Sequence, residues 1–274
     1  MKKPENINEI TVNSEFEMGA YPPNGFLIFD EACLGNGDYF GLYWEFGKEN
    51  EYPIICEMEH DNGIITPRFS NLNKFLEWYE LNNYDWGENE IVDENFIIEH
   101  LKKGNEYVKT NKPEKAIEHY KLGIKSFGEL SEIWLKLATQ QKRLGNQYKF
   151  QKSIIKAFLS NWTFGIPTEN TIRIIKNLQP ISEFENHPLI KYKNELIFKF
   201  GGVKENPIYL TLKKIIDELF ELENFKEALI LEQNYAFMMN KETITFQERY
   251  DFNYEKWKEE FKTKTEKYLK RNNG

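Results

Sequence analysis

The periodicity of hydrophobic residues changes once along this 274-residue chain, and that change constrains the fold more than any other feature. Residues 25–69 carry short apolar and aromatic runs, such as GFLIFD and YFGLYWEF, separated by clusters of Gly, Asn, Asp and Pro. Such runs predict strands joined by turns, here an antiparallel meander. From about residue 93 onward, nearly every segment has the period of an amphipathic helix. The sequence therefore predicts an α+β protein with one domain at 1–92 and a second at 93–274.

The strand-like part ends in a segment with helical spacing, FSNLNKFLEWYELN. Ser70 is the expected N-cap, and Leu72, Phe75, Leu76 and Tyr79 follow the i, i+3, i+4, i+7 pattern of one apolar face. A helix with a single apolar face must bury it against another element. We therefore expect it to pack back on the sheet.

Small and aromatic residues recur at fixed spacing in the helical part. Gly104, Tyr107, Ala116, Tyr120 and Gly123 match the tetratricopeptide pattern, in which small residues let two helices approach closely and bulky ones fill the gaps. A less regular second unit follows 34 residues later, and a third helix pair is expected over 210–239. Shorter helices are expected over 166–205, and a charged amphipathic helix ends the chain. This resemblance implies an all-α, tetratricopeptide-like repeat domain.

The net charge of −8 conceals an asymmetry between the two parts. Residues 1–92 hold five Lys and Arg against 18 Asp and Glu, a net charge of −13, whereas the remainder is mildly basic at +5. A field of that sign repels nucleic acid and anionic membranes and speeds encounter with a basic partner, although it also serves plain solubility. No apolar run approaches the roughly 20 residues of a membrane-spanning helix, and the N-terminus has no secretory signal pattern. We expect a cytoplasmic protein with neither nucleic acid nor membrane as partner.

The cluster CEMEHD at residues 56–61 is the strongest candidate for chemistry. Glu57 and Glu59, followed by His60 and Asp61, could serve acid/base or metal chemistry. No second His lies at ligand spacing, and a solvated strand end that leads into a turn explains the cluster without any reaction. The glycines of GNGDYFG lack the Lys-Ser/Thr of a phosphate-binding loop and are typical of a hairpin turn. We therefore expect no enzymatic activity, no metal and no cofactor.

The segment at 35–79 resembles the SUKH superfamily, which includes cell-wall-synthesis regulators of the Smi/Knr type and many bacterial immunity proteins against polymorphic toxins. The likeness rests on the turn Asn36-Gly37-Asp38, the aromatic strand 39–44, the strand 54–61, and a helix that begins near Ser70 and bears Phe75-Leu76. The helices that usually open the family fold are shortened here, since only 24 residues precede Gly25. The resemblance implies a small α+β domain, with an antiparallel or mixed sheet and no catalysis, that binds a cognate toxin domain and blocks its active site or substrate groove.

The leading hypothesis is thus a non-catalytic cytoplasmic immunity protein whose acidic domain binds a basic toxin domain, for which a nuclease is a fitting example. The candidate partner contacts are acidic or aromatic residues of the strand region: Asp38, Tyr43, Glu45, Glu57, Glu59 and Asp61. Tyr43 and Trp44 face opposite sides of a strand, so one of them is expected in the core. A scaffold that binds a peptide through the helical repeats is the first alternative. A hydrolase that uses Glu57, Glu59 and His60 is a more distant one.

Overall fold

The computed structural model of the chain describes residues 12–13, 25–34, 38–59, 64–85, 87–199 and 204–272. The strands are β1 (Val12–Asn13), β2 (Phe26–Leu34), β3 (Asp38–Tyr43), β4 (Ile54–Met58) and β5 (Ile65–Phe69). The helices are α1 (Leu72–Leu81), α2 (Ile97–Lys109), α3 (Pro113–Ser126), α4 (Ser131–Arg143), α5 (Gln147–Phe158), α6 (Glu169–Lys176), α7 (Pro188–Lys191), α8 (Ile208–Glu221), α9 (Phe225–Met239), α10 (Ile244–Arg249) and α11 (Tyr254–Asn272). Short 3-10 turns lie at Trp162–Phe164, Ser182–Phe184 and Lys193–Glu195.

The strands form one antiparallel sheet in the order β1-β2-β3-β4-β5, so each strand pairs with its neighbour along the chain. This is the predicted meander, and with the helices that follow it confirms the α+β class. The aromatic and β-branched residues of β3 and β4 suit a pleated surface that is covered by other elements. Asp38 pairs with Leu34 at the start of β3, and Tyr43 pairs with Ile54 at its end.

Both faces of the sheet are buried, because α1 covers one face and the helical part covers the other. Trp44 lies in a core with Phe75 and Trp78 of α1. Tyr43, one position earlier and on the opposite face, lies in a core with Phe127 and other residues of the helical part. Both Tyr43 and Trp44 are therefore only 1% exposed. The expectation that just one of the pair is core is corrected, since neither face of the strand is open to solvent.

Helix α1 is where the sequence predicts it, with Leu72 and Phe75 buried against the sheet. The cap lies one residue later than expected. Asn71, not Ser70, is the N-cap, and its side-chain Oδ1 accepts the Lys74 N–H at 3.1 Å. Asn and Ser cap helices about equally well, so the local pattern did not distinguish two neighbouring candidates.

The helical part is built from pairs of consecutive helices, α2 with α3, α4 with α5, and α8 with α9. In the first pair, a Cβ atom added to Gly104 would lie 2.3 Å from Cε1 of Tyr120, which shows why a small residue stands opposite the aromatic one. Shorter helices and 3-10 turns follow over 166–205, and α11 ends the described chain, as the sequence predicts. Assignment of these pairs to the tetratricopeptide class stays a prediction.

Elements on both sides of residue 92 contribute to one core. Met58 and Tyr43 from the sheet, Phe96 at the start of α2, and Phe127 and Phe164 from later segments belong to the same buried cluster. The domain boundary near residue 92 stays a prediction, and the two parts are joined by apolar packing as well as by the chain. Within the part of the chain that the structure describes, no helix is both long and apolar enough to cross a membrane.

Candidate protein-binding surface

The connection between α1 and α2 and the helix residues beside it form a strongly acidic stretch of the chain. Residues 75–101 contain eight Asp and Glu and no Lys or Arg. We call residues 82–96 the acidic connection. Six carboxylates on it and on the adjoining end of α1 are exposed: Glu77, Glu80, Asp85, Glu88, Glu90 and Glu94. Lys74 and Lys102, just outside this stretch, pair with Glu77 at 2.6 Å and with Glu99 at 2.7 Å. The surface between them therefore carries an excess of negative charge.

Asn82 holds the first part of the acidic connection in one shape. Its buried side chain donates to the carbonyl oxygens of Trp78 at 2.8 Å and Asn89 at 3.1 Å, and its Oδ1 accepts the Asn89 N–H at 3.2 Å. A Cβ atom on Gly87 would lie 1.9 Å from that Oδ1, so a residue without a side chain is required beside the amide. The loop is thus built around one side chain at the end of α1.

Two consecutive non-glycine residues, Asn83 and Tyr84, have left-handed backbone conformations, with φ of 58° and 61°. Asn tolerates this region well, whereas a bulky residue such as Tyr adopts it at a cost in free energy. The Tyr84 N–H donates to the Tyr79 carbonyl at 2.8 Å, and the two rings meet edge to face at 5.6 Å. These contacts hold Tyr84 outward, and it is 63% exposed.

Two apolar side chains on either side of Tyr84 in the sequence are also exposed. Leu81 at the end of α1 is 50% exposed and Val92 in the acidic connection is 65% exposed. A cavity of about 300 Å³ opens between the acidic connection and β5. Its lining includes Trp78, Phe96, Glu90, Asp93, Glu99, Thr66, Arg68 and Lys102. The acidic connection and the end of α1 therefore present exposed apolar groups and carboxylates, and a concave site lies between the acidic connection and β5.

The described residues that were predicted as partner contacts lie at two ends of β3 and β4, with Asp38, Glu57 and Glu59 at one end and Tyr43 and Glu45 at the other. Glu59 is exposed after β4, and Asp38 is half-buried at the start of β3. The Glu57 carboxylate on β4 forms an ion pair with Arg68 on the neighbouring strand β5. Asp61 and His60 lie outside the described residues. Among the residues that are described, no group of three or more His, Cys, Asp or Glu side chains could hold a metal ion.

Tyr43 and Glu45 lie in the interior, where the sheet meets the helical part. The Tyr43 hydroxyl donates to Glu129 Oε2 and accepts a hydrogen bond of 3.0 Å from Asn161 Nδ2. Glu45 Oε2 accepts the Gly128 N–H at 2.9 Å, and Glu129 Oε1 accepts the Phe46 N–H at 2.8 Å. The expectation that Tyr43 and Glu45 are displayed to a partner is corrected, because the helical part covers this face of the sheet.

Burial shifts the pKa values of the side chains where the sheet meets the helical part. Burial, followed by the neighbouring charge of Glu129, raises the pKa of Glu45 to about 7 against the opposing effect of Lys48. Burial also raises the pKa of Glu129, although the Tyr43 hydroxyl and the Phe46 N–H stabilise its charge. Burial and the adjacent Glu129 raise the pKa of Tyr43 well above its ordinary value. These shifts follow from holding two carboxyl groups together out of water.

Sequence patterns did not indicate Glu129 or Asn161, because neither residue lies in a motif. Their hydrogen-bond partners Phe46 and Tyr43 lie more than 80 residues away in the chain. The acidic connection, in contrast, is visible in the sequence, because the stretch 75–101 around it contains eight Asp and Glu and no Lys or Arg. The sequence did not reveal that Tyr84 in the acidic connection is exposed to solvent.

The fold and its surfaces define an α+β protein in which an antiparallel sheet and a series of helix pairs share a core. The chain belongs to the YfbP family. Residues 11–88 match the YfbP N-terminal domain model and residues 199–273 match the YfbP C-terminal domain model. An Escherichia coli (strain K12) protein described as "Uncharacterized protein YfbP" is 37% identical over 248 residues, which span 89% of this chain and 88% of that protein. Neither matched model is a SUKH or tetratricopeptide model. No solved structure matches the chain significantly.

Proposed function

We propose that this protein is a non-catalytic binding protein that neutralises a basic protein partner in the manner of an immunity protein against a toxin domain, and that the acidic connection contacts the partner. The observation that carries the proposal is an exposed tyrosine, Tyr84, held outward on a surface that bears exposed carboxylates. Aromatic anchors in apolar surroundings carry much of the binding energy in protein interfaces, and surrounding charge speeds encounter.

The charge of the surface favours a basic partner over other classes. The stretch 75–101 has no Lys or Arg with which to attract nucleic acid or anionic lipid. Leu81 and Val92, which are exposed before and after Tyr84 in the sequence, add apolar contact area. The cavity next to β5 has Glu90 and Asp93 in its wall, and its two basic residues, Arg68 and Lys102, already pair with Glu57 and Glu99. The cavity therefore suits an Arg or Lys side chain of the partner. Occupation of a nuclease's basic substrate groove by such a surface would block the enzyme without any chemistry in this protein.

The proposal is tested by pull-down of the tagged full-length protein from its native host, with a triple variant Glu88→Lys, Glu90→Lys and Glu94→Lys beside the wild type. All three residues are exposed, so the variant should fold. The matched control is Glu106→Lys, Glu114→Lys and Glu118→Lys, which makes the same charge change on exposed positions of α2 and α3. We expect a basic protein that is recovered by the wild type and the control and lost with the triple variant.

The immunity function is tested next by expression of the recovered partner. Expression alone should arrest growth, and co-expression of this protein should restore it. Recovery of a partner that binds the triple variant and the control equally would remove the acidic connection from the interface. A partner that is harmless when expressed would overturn neutralisation and favour the scaffold alternative.

A second pair of variants tests the aromatic anchor. Tyr84→Ala should weaken binding by about 2 kcal/mol, as is typical of an interface hot spot. Tyr148→Ala is the control, because Tyr148 is also an exposed tyrosine (45%) but lies on α5, away from the acidic connection. Equal affinity of the two variants for the partner would contradict the proposed role of Tyr84.

A further inference from the structure

A second cavity lies in the C-terminal helices, away from the acidic connection. It has a volume of about 250 Å³ and is enclosed by α8, α9, α11 and the residues just before α11. Its wall combines aromatic rings with carboxyl groups and lysines: Phe220, Tyr235, Phe252, Trp257, Asp217, Glu232, Asp251, Glu260, Lys213, Lys256 and Lys264. Residues of α8, α9 and α11 enter the wall at helical spacing, so one face of each helix contributes.

The buried polar atoms of this wall include two hydrogen-bond acceptors that have no partner among the described residues. They are Oε2 of Glu232 and the hydroxyl of Tyr235, which lie one turn apart on α9. Glu232 is 8% exposed and Tyr235 is 4% exposed. Buried polar atoms in proteins are nearly always hydrogen-bonded, and leaving one without a partner costs about 1–3 kcal/mol. Two such atoms in the wall of one cavity can accept hydrogen bonds from a ligand that enters it.

The lysines of the wall are already engaged. Lys264 Nζ binds the other oxygen of Glu232, Oε1, at 2.6 Å, and Lys256 Nζ lies 4.0 Å from Glu260 Oε1. Lys213 Nζ donates to the Tyr250 carbonyl oxygen at 3.1 Å. The carboxylate oxygen Oε2 of Glu232 and the phenol of Tyr235 can therefore accept hydrogen bonds from a ligand. An anion placed beside that carboxylate oxygen would be repelled, whereas an N–H donor of positive charge would be attracted.

We propose that this cavity binds an alkylammonium group, with Glu232 Oε2 and the Tyr235 hydroxyl as hydrogen-bond acceptors and the aromatic rings around the alkyl chain. Aromatic faces attract cations, and a carboxylate binds an ammonium through a charge-assisted hydrogen bond. Burial and the neighbouring Glu260 and Asp217 raise the pKa of Glu232 although Lys264 opposes this, which agrees with an excess of carboxyl groups in the wall. The proposal does not rest on the function of the acidic connection.

The test is titration calorimetry of the full-length protein with butylammonium, compared with the neutral butanol and the anion butyrate. We expect saturable binding of butylammonium, and none of the other two at the same concentration. Glu232→Gln should weaken the binding about tenfold, by loss of one charge-assisted hydrogen bond. Because this change also weakens the contact with Lys264, Tyr235→Phe is the second variant. It removes a hydroxyl that has no partner, so the fold should keep its stability while the affinity falls.

Tyr209→Phe is the matched control, since Tyr209 on α8 is also buried but donates to Glu242 at 2.9 Å and does not line the cavity. This variant should lose stability and bind butylammonium as well as the wild type does. An ammonium group could come from a free amine or from a lysine side chain of a partner protein. Nα-acetyl-lysine methylamide distinguishes them, because it binds more tightly than butylammonium only if the site accepts a lysine side chain. Absence of saturable butylammonium binding, or equal binding of butanol, would overturn the proposal.

Discussion

Glu45 and Glu129 each accept a hydrogen bond from the backbone beside the other, Glu45 from the Gly128 N–H at 2.9 Å and Glu129 from the Phe46 N–H at 2.8 Å. This reciprocal pair joins the end of the sheet's central strand to the loop between α3 and α4. Two carboxyl groups in one buried site repel each other when both are charged. The contact between the sheet and the helices is therefore held by buried hydrogen bonds, and its stability depends on whether Glu45 and Glu129 are protonated.

Removal of the Glu129 carboxylate should destabilise the protein severely. Glu129→Ala leaves the Phe46 N–H and the Tyr43 hydroxyl without their acceptor inside a buried site. We expect a loss of about 3 kcal/mol in the free energy of unfolding, measured by urea denaturation. Glu132→Ala is the control, because Glu132 is exposed and makes only a 3.4 Å ion pair with Lys136. A loss below 1 kcal/mol in Glu129→Ala would show that the junction does not hold the two parts together.

The raised pKa of Glu45 makes stability fall as the pH rises. The folded state holds the Glu45 proton up to a pKa of about 7, whereas the ordinary value is 4.5, so the folded state binds more protons between these values. The free energy of unfolding should therefore decrease from about pH 4.5 to about pH 7, by about 3 kcal/mol for this group. In Glu45→Gln this part of the slope should disappear, as seen in urea denaturation at several pH values. If the free energy of unfolding depends on pH in the same way in Glu45→Gln and in the wild type, the raised pKa of Glu45 is contradicted.

The lowered pKa of Glu227 leads us to expect the opposite dependence of stability on pH in the acid range. Burial disfavours its charge, yet hydrogen bonding to His187 and the charge of Lys156, whose Nζ lies 2.7 Å away, hold its pKa at about 2. A carboxyl pKa below the ordinary 4.5 stabilises the fold above that pH, and the effect is lost as the pH falls towards 2. Glu227→Gln should cost about 3 kcal/mol at pH 7, and the difference from the wild type should narrow below pH 4.5. A difference that stays constant from pH 7 to pH 3 would rule out the charge as its source.

The close packing of α2 on α3 can be tested at Gly104. In an open helix, Gly→Ala stabilises by about 1 kcal/mol. Here the added methyl group would lie 2.3 Å from the Tyr120 ring, so we expect Gly104→Ala to destabilise by about 1–3 kcal/mol instead. A lower midpoint temperature of thermal unfolding in Gly104→Ala would confirm the close packing of α2 on α3, and a higher one would contradict it. Lys109→Ala, at an exposed position of the same helix, is the control and should change little.

Patterns along the chain were sufficient for the class of fold and for most elements. The alternation of apolar runs with Gly, Asn and Pro turns predicted the antiparallel meander, and the spacing of Leu72 and Phe75 predicted α1. The small residues Gly104 and Gly123 predicted a helix pair that the structure contains. These predictions succeeded because strand and helix periods are local properties that each segment carries by itself.

The partner contacts predicted in the strand region depended on which face of the sheet is open, and that is not a local property. Glu45 was expected at the surface and is buried, because a loop more than 80 residues later supplies the Gly128 N–H that it binds. Tyr84, in contrast, is displayed because Asn82 and Tyr79 shape the loop around it. The sequence by itself determined the elements and the acidity of the connection between α1 and α2. Only the tertiary structure decided which acidic and aromatic side chains are buried, since burial depends on contacts between segments distant in the chain.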